Sequence, residues 1–266
     1  MAMIEVEWSN LTAPELKELA ARDAIVIVPV GSTEQHGPHL PVQVDSRIAG
    51  EVARRAARSL GDRIPVVVAP TVWCGLAEHH MSFGGTFTVD LATFHGLLRC
   101  VCHSLVRHGF RRIALVNGHG GNVSALDTLV GELTRELGQP IVACTYFMLA
   151  QPAFARILER QPGVMHACEG ETSMLLALCP ELVKTERLAE AFGEVAPELL
   201  DEAATGVHRW WPMAAMTDNG VIGDARAASA EKGERLLAAA TAALVDRLAA
   251  GKLWTTATDR GAPAQR

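Results

Sequence analysis

Ala24-Ile-Val-Ile-Val-Pro-Val30 runs directly into Gly31-Ser-Thr-Glu34-Gln-His36-Gly-Pro-His39. The first stretch is continuously apolar, rich in β-branched side chains and ended by a glycine. A strand with one wet face would alternate. An unbroken run predicts a strand covered on both faces, as in a parallel sheet. It is also far too short to cross a bilayer.

Outward from this strand, elements of the two kinds alternate. Thr12-Ala-Pro-Glu15 reads as a capping box opening a short helix. Ser46 to Leu60 reads as a helix, Pro65-Val-Val-Val-Ala-Pro70 as a second buried strand, and Leu91 to His108 as a helix capped by Asp90 and stopped by Gly109. Arg112-Ile-Ala-Leu-Val-Asn117 is a third strand, Val123 to Leu137 a helix, and Ile141 to Tyr146 a fourth strand. Helices are expected at 151–160, 170–179 and 229–250, with 181–228 irregular and a polar tail after Trp254. Such alternation predicts one α/β domain over 1–266 with a mostly parallel sheet. In these sheets ligands bind beyond the carboxyl ends of the strands, so the loops there are the places to search.

Composition narrows the function. The chain has 266 residues, 49% hydrophobic and 20% charged, which gives it a large core. The net charge of −6, with the two signs interspersed, and only 5% aromatic residues argue against nucleic acid and anionic membranes as partners. The six cysteines form no Cys-x-x-Cys pair, and no signal peptide is visible, so a reduced cytoplasmic setting is expected.

Acids and imidazoles gather at the strand ends. After the first strand come Glu34, His36 and Asp45. A Glu-x-His pair in extended chain projects both side chains to one side, and the donor set suits zinc, manganese or iron(II). The alternative for Asp45 is a helix N-cap. After the third strand, Asn117-Gly-His119-Gly120-Gly-Asn122 holds one imidazole on a platform of bare backbone. Later, His166-Ala-Cys-Glu169-Gly-Glu171 places two acids at the start of an apolar helix, where the helix dipole or a metal can balance them. Glu78, His79 and His80, after the second strand, can line a pocket or remain solvated. Asp45, short and placed between the other ligands, is the candidate bridge between two metals.

These motifs, together with Phe83-Gly-Gly-Thr86, resemble the creatininase (creatinine amidohydrolase) family in order along nearly the whole chain. The resemblance implies a three-layer α/β/α sandwich and two divalent ions per subunit, zinc first, with manganese or iron(II) as alternatives. It also implies a cytoplasmic homo-oligomer, a hexamer being favoured. Carried over by motif, Glu34 and His119 would bind one ion, His36 and Glu171 the other, and Asp45 would bridge. His166 would be the acid/base residue, with Glu169 as an alternative proton shuttle. Glu78, His79 and Gly120 would contact substrate. The implied activity is metal-assisted hydrolysis of a C–N bond in a small polar amide or cyclic amide. Creatinine hydrolases carry Tyr-Glu where this chain has Gly120-Gly121, and a Trp-Asp pair where it has the stretch Gln161 to Met165. Those changes remove groups expected to enclose creatinine. Formamide deformylases, peptide-trimming peptidases and cyclic sugar-ketone hydrolases of the family carry the Gly-Gly form. A metal-binding protein without turnover is the reading outside enzymes.

Overall fold

The computed structural model describes residues 4–194 and 209–255. Strands β1 (Ile25–Val30), β2 (Val66–Val68), β3 (Arg112–Asn117) and β4 (Ile141–Thr145) pair in parallel in the order β2-β1-β3-β4. The helices are α1 (Ala13–Ala21), α2 (Val44–Leu60), α3 (Leu91–Arg107), α4 (Val123–Leu137), the short α5 (Tyr146–Leu149) and α6 (Gln151–Phe154), α7 (Glu169–Leu178), α8 (Met213–Met216) and α9 (Ala230–Ala249).

Strand periodicity divides β1 between two cores. Ile25 and Ile27 pack with α2, α7 and α9, through side chains such as Ile48, Leu175 and Leu237. Val26, Val28 and Val30 pack with α3 and α4, through Phe94, Leu98, Leu126 and Leu129. Both faces are therefore apolar, which is why the sequence run does not alternate, and the mostly parallel sheet lies between two helical layers. Pro29 sits in a central strand without breaking it. Its carbonyl accepts from the Val72 amide at 2.9 Å on the β2 side, and β2 itself has already ended at Val68. The amide that proline lacks would have faced that same side, so no ladder bond is lost.

Two boundaries differ from the sequence reading. Helix α2 begins at Val44 with Gln43 as its N-cap, so Asp45 lies inside the first turn and does not cap it. The helix expected over 151–160 stops at Phe154. Beyond it the amides of Glu159 and Arg160 donate to the Glu169 carboxylate at 3.0 and 2.9 Å, which turns the chain away from the helical path. The expected tail beyond Trp254 lies, from residue 256 onward, outside the described residues. Among the described residues no helix is long and apolar enough to cross a membrane.

Candidate metal centre

The strand order reverses direction between β1 and β3, and the candidate residues collect at the carboxyl ends of these two strands. The loop after β1 carries Glu34 and His36, the first turn of α2 carries Asp45, and the loop after β3 carries His119. His166 precedes α7, and Glu171 lies in its first turn. Bare backbone lets these segments approach. A Cβ on Gly118 would lie 2.6 Å from the Asp45 carbonyl oxygen, and one on Gly121 would collide with the His119 ring and the Leu76 carbonyl.

Hydrogen bonding fixes the ring nitrogens. His119 Nε2 lies 3.1 Å from the Leu76 carbonyl, which can only accept, so Nε2 carries the proton. The lone pair on Nδ1 then faces Glu34 Oε2 at 3.0 Å and Asp45 Oδ2 at 3.2 Å. By the same logic His36 Nδ1 donates to the Glu34 carbonyl at 3.1 Å. Its Nε2 faces Asp45 Oδ1 at 3.2 Å and Glu171 Oε1 at 3.9 Å. Glu34 Oε2, Asp45 Oδ2 and His36 Nε2 are buried and have no hydrogen-bond partner. Lone pairs aimed at carboxylates repel unless a cation stands between them. Ring N–H groups anchored on backbone carbonyls are also the usual support of metal-ligating histidines. The residues therefore suit divalent ions. Two of the groups with metal-ligand geometry are Glu34–Asp45–His119 and His36–Asp45–Glu171, which share Asp45.

Without an ion, protons meet the same demand. Burial alone would depress His36, but Asp45, Glu171 and Glu34 outweigh it and hold the imidazole up to about 9. His119 is likewise raised against burial, by Glu34 and Asp45. Glu171 is pushed up to about 7, chiefly by burial, against the pull of His36. A third arrangement concerns His166. Its Nε2 donates to the Gln35 carbonyl at 2.8 Å, leaving the Nδ1 lone pair 3.7 Å from Glu34 Oε1. Burial first, then the neighbouring His36, hold this imidazole well below its ordinary value, so it is neutral near pH 7. Ala167, next to it, takes a left-handed backbone (φ 51°), and its amide donates to Glu171 Oε2 at 2.6 Å.

Glu34, His36, Asp45, His119, Glu171 and His166 thus come together, whereas two other expected residues do not. Glu169 is fully buried, but its carboxylate takes Lys232 Nζ at 2.7 Å besides the two backbone amides, on the side of α7 that faces α9. Glu78 is exposed on a 3-10 turn (Glu78–Phe83), away from the cluster. His79 and Gly120 line the cleft above the carboxylates. The His79 ring lies 5.7 Å from His119 in a stacked arrangement. Sequence reasoning offered His80 only as a pocket-lining candidate and did not single out Gln35; His80 Nε2 is 3.1 Å from Glu34 Oε1, and Gln35 links His80 to Gly220. The available signal was position alone: Gln35 lies between two ligands, and His80 is next to His79.

The cleft encloses about 480 Å³. Its floor is the carboxylate–imidazole cluster. Its walls are apolar: Phe147, Val164 and Met165 before α7, then Trp211, Met213, Met216 and Ile222 from the segment around α8.

A buried cluster of carboxylates and imidazoles, opening into a cleft at the strand ends of a parallel sheet, is the equipment of a metal-dependent hydrolase. The family model described as creatinine amidohydrolase matches residues 9–248. The chain is 36% identical over 238 residues to the mycofactocin precursor peptide peptidase of Mycobacterium tuberculosis, covering 87% of each protein. It is 30% identical over 264 residues to the creatinine amidohydrolase of Pseudomonas putida, covering 92% of this chain and 94% of that protein. A crystal structure of creatinine amidohydrolase superposes with a TM-score of 0.79 at 28% identity, covering 95% of this chain and 99% of that one. The chain belongs to the creatininase family of hydrolases, which includes amidohydrolases that cleave C–N bonds.

Proposed function

We propose that this protein is a two-metal amidohydrolase whose substrate carries a large apolar group beside the scissile C–N bond, a short peptide being the chemistry that suits the cleft best. The observation that carries this reading is the apolar wall standing directly over the carboxylate–imidazole cluster. The mycofactocin precursor peptide peptidase among its relatives supports a peptide. At Gly120 a Cβ would meet nothing within 4 Å, which leaves the floor open there for a substrate bulkier than creatinine.

In this reading Glu34 and His119 hold one ion, His36 and Glu171 the other, and Asp45 spans both. When bound, such ions supply a Lewis-acid pair that lowers the pKa of water and polarises the scissile carbonyl. Zinc and manganese both suit the donors. Solved creatininases described as "Zn-Zn type" and as "Creatininase Mn" support both. The chain's own contribution to proton transfer is His166. With Nε2–H anchored on Gln35, its neutral Nδ1 takes the proton of the attacking water and passes it to the leaving nitrogen. Glu169, committed to Lys232, keeps α7 in place and carries no proton in the cleft. The apolar wall excludes bulk water around the reacting amide. A cytoplasmic homo-oligomer belongs to the same reading: six free thiols suit a reducing compartment, and the exposed, edge-to-face Trp73 and Phe87 offer an apolar patch to a second copy.

The test is product formation, followed by mass spectrometry, from a panel: short peptides with large apolar or with charged residues flanking the bond, creatinine, formamides and a cyclic sugar ketone. Preference for apolar peptides is expected. Turnover of creatinine with none of the peptides would refute the reading, and silence across the panel by metal-loaded protein would favour a binding role.

A further inference from the structure

His80 is buried and has no part in the chemistry outlined above, although its ring lies against that of His166 at 4.4 Å. Its hydrogen bonds have a direction that can be worked out. The Gly37 amide donates to Gln35 Oε1 at 2.8 Å, which fixes which end of the Gln35 amide is oxygen. The other end, Nε2, lies 2.9 Å from His80 Nδ1, 3.0 Å from His166 Nε2 and 3.1 Å from the Gly220 carbonyl; His166 Nε2 already donates its proton to the Gln35 carbonyl and cannot accept, so the two amide hydrogens go to Gly220 and His80. An amide nitrogen only donates, so His80 Nδ1 must accept. A neutral imidazole then carries its proton on Nε2, and that atom is 3.1 Å from Glu34 Oε1. The second oxygen, Oε2, is left without a hydrogen-bond partner and turned toward His119 and Asp45.

We propose that His80 is a positioning residue: its Nε2–H pins Glu34 Oε1 so that Oε2 is presented to the ion shared with Asp45 and His119, and Gln35 sets the tautomer that makes this possible. A glutamate has three rotatable bonds, and a buried carboxylate held at one oxygen loses the rotation that would otherwise compete with ligation. Outer hydrogen bonds of this kind typically change metal affinity by about 10–100-fold. The effect is largely local: no hydrogen bond, ion pair or ring contact joins His80 to His36, Asp45 or Glu171, so the second ion should register its loss only through the shared Asp45.

This inference rests on the two-metal reading, and the experiment separates the two. Zinc is titrated calorimetrically into metal-stripped wild type, His80→Phe and His80→Gln, with His119→Ala as the reference isotherm for loss of the first site. Phenylalanine fills the space of the ring without a donor, whereas glutamine returns an N–H close to the position of Nε2. Wild type is expected to take two zinc ions. His80→Phe should weaken chiefly the site missing in His119→Ala, by about 10–100-fold, and His80→Gln should regain most of that loss. Should His80→Phe not fold, Gln35→Met, which removes the amide donor but keeps His80, is expected to weaken the same site. Wild-type affinities in either of these variants, or equal weakening of both sites in His80→Phe and His80→Gln alike, would overturn the role of His80 while leaving the metal centre standing. A wild-type protein that takes up no zinc would overturn the metal centre itself.

Discussion

Stripping the metal should make stability fall with rising pH, and metal should restore it most where it has fallen furthest. In the stripped chain His36 is held up to about 9, against an ordinary imidazole near 6.5. A group raised on folding contributes stability that is fully present below its unfolded value and is lost as pH rises through the folded one. Between pH 7 and 9 the folded state therefore holds a proton that the unfolded state has released. At about 1.4 kcal/mol per pH unit, His36 alone accounts for a loss of about 2 kcal/mol over that window. His119, raised by Glu34 and Asp45, adds to the fall. An ion must displace these protons, so its affinity grows over the same window. At a free zinc concentration 100 times the dissociation constant each site contributes about 2.7 kcal/mol, or roughly 5 kcal/mol for two, which corresponds to a rise in Tm of roughly 10 °C or more in a chain of this size. The assay is thermal melting by circular dichroism at pH 7, 8 and 9, with chelator and with zinc. A stripped protein as stable at pH 9 as at pH 7, or a zinc effect of equal size at both, would refute the argument that imidazolium protons stand in for the ions.

Three further outcomes are expected. His119→Ala should lose one ion and turnover together, whereas His166→Ala should keep both ions and lose about 10²–10⁴-fold in kcat; full activity of His166→Ala on its true substrate would remove His166 from the mechanism, and metal analysis beside steady-state kinetics reads both. Glu169→Gln removes one of two carboxylates from Lys232, which keeps Glu159 at 2.8 Å, and should cost about 1–3 kcal/mol in denaturant unfolding while metal content and kcat are retained; an unchanged midpoint with lost turnover would restore Glu169 as a proton shuttle. Gly121→Ala places a methyl group against the His119 ring and the Leu76 carbonyl, so zinc affinity at the Glu34–Asp45–His119 site should drop, and wild-type affinity would show that the platform can move aside.

How far the site could be read in advance depended on whether one chain segment held the answer. The run Ala24–Val30 reports burial on both faces by itself, and Glu34 and His36 share a side through the periodicity of two, so the sheet and two of the five ligands are written locally. Glu169 and Glu171 show where local reading stops. At 100° per residue, positions two apart on a helix point about 200° away from each other, so only one of these acids can face the cleft. Nothing in Glu-Gly-Glu says which. The choice is made from α9, some sixty residues further along the chain and outside any local window, where Lys232 reaches Glu169 at 2.7 Å and leaves Glu171 to the metal side. His79 and His80 pose the same problem on a 3-10 turn: adjacent identical side chains diverge, and Gln35, far upstream, selects His80 as the one that meets Glu34. The substrate wall is further still from local pattern, because the sequence around Trp211, Met213 and Met216 has no periodicity that announces a pocket. The ligands of this centre are legible because metal chemistry restricts which residue types can serve. The parts that orient them and select a substrate are ordinary side chains whose role is created only by the neighbour they meet.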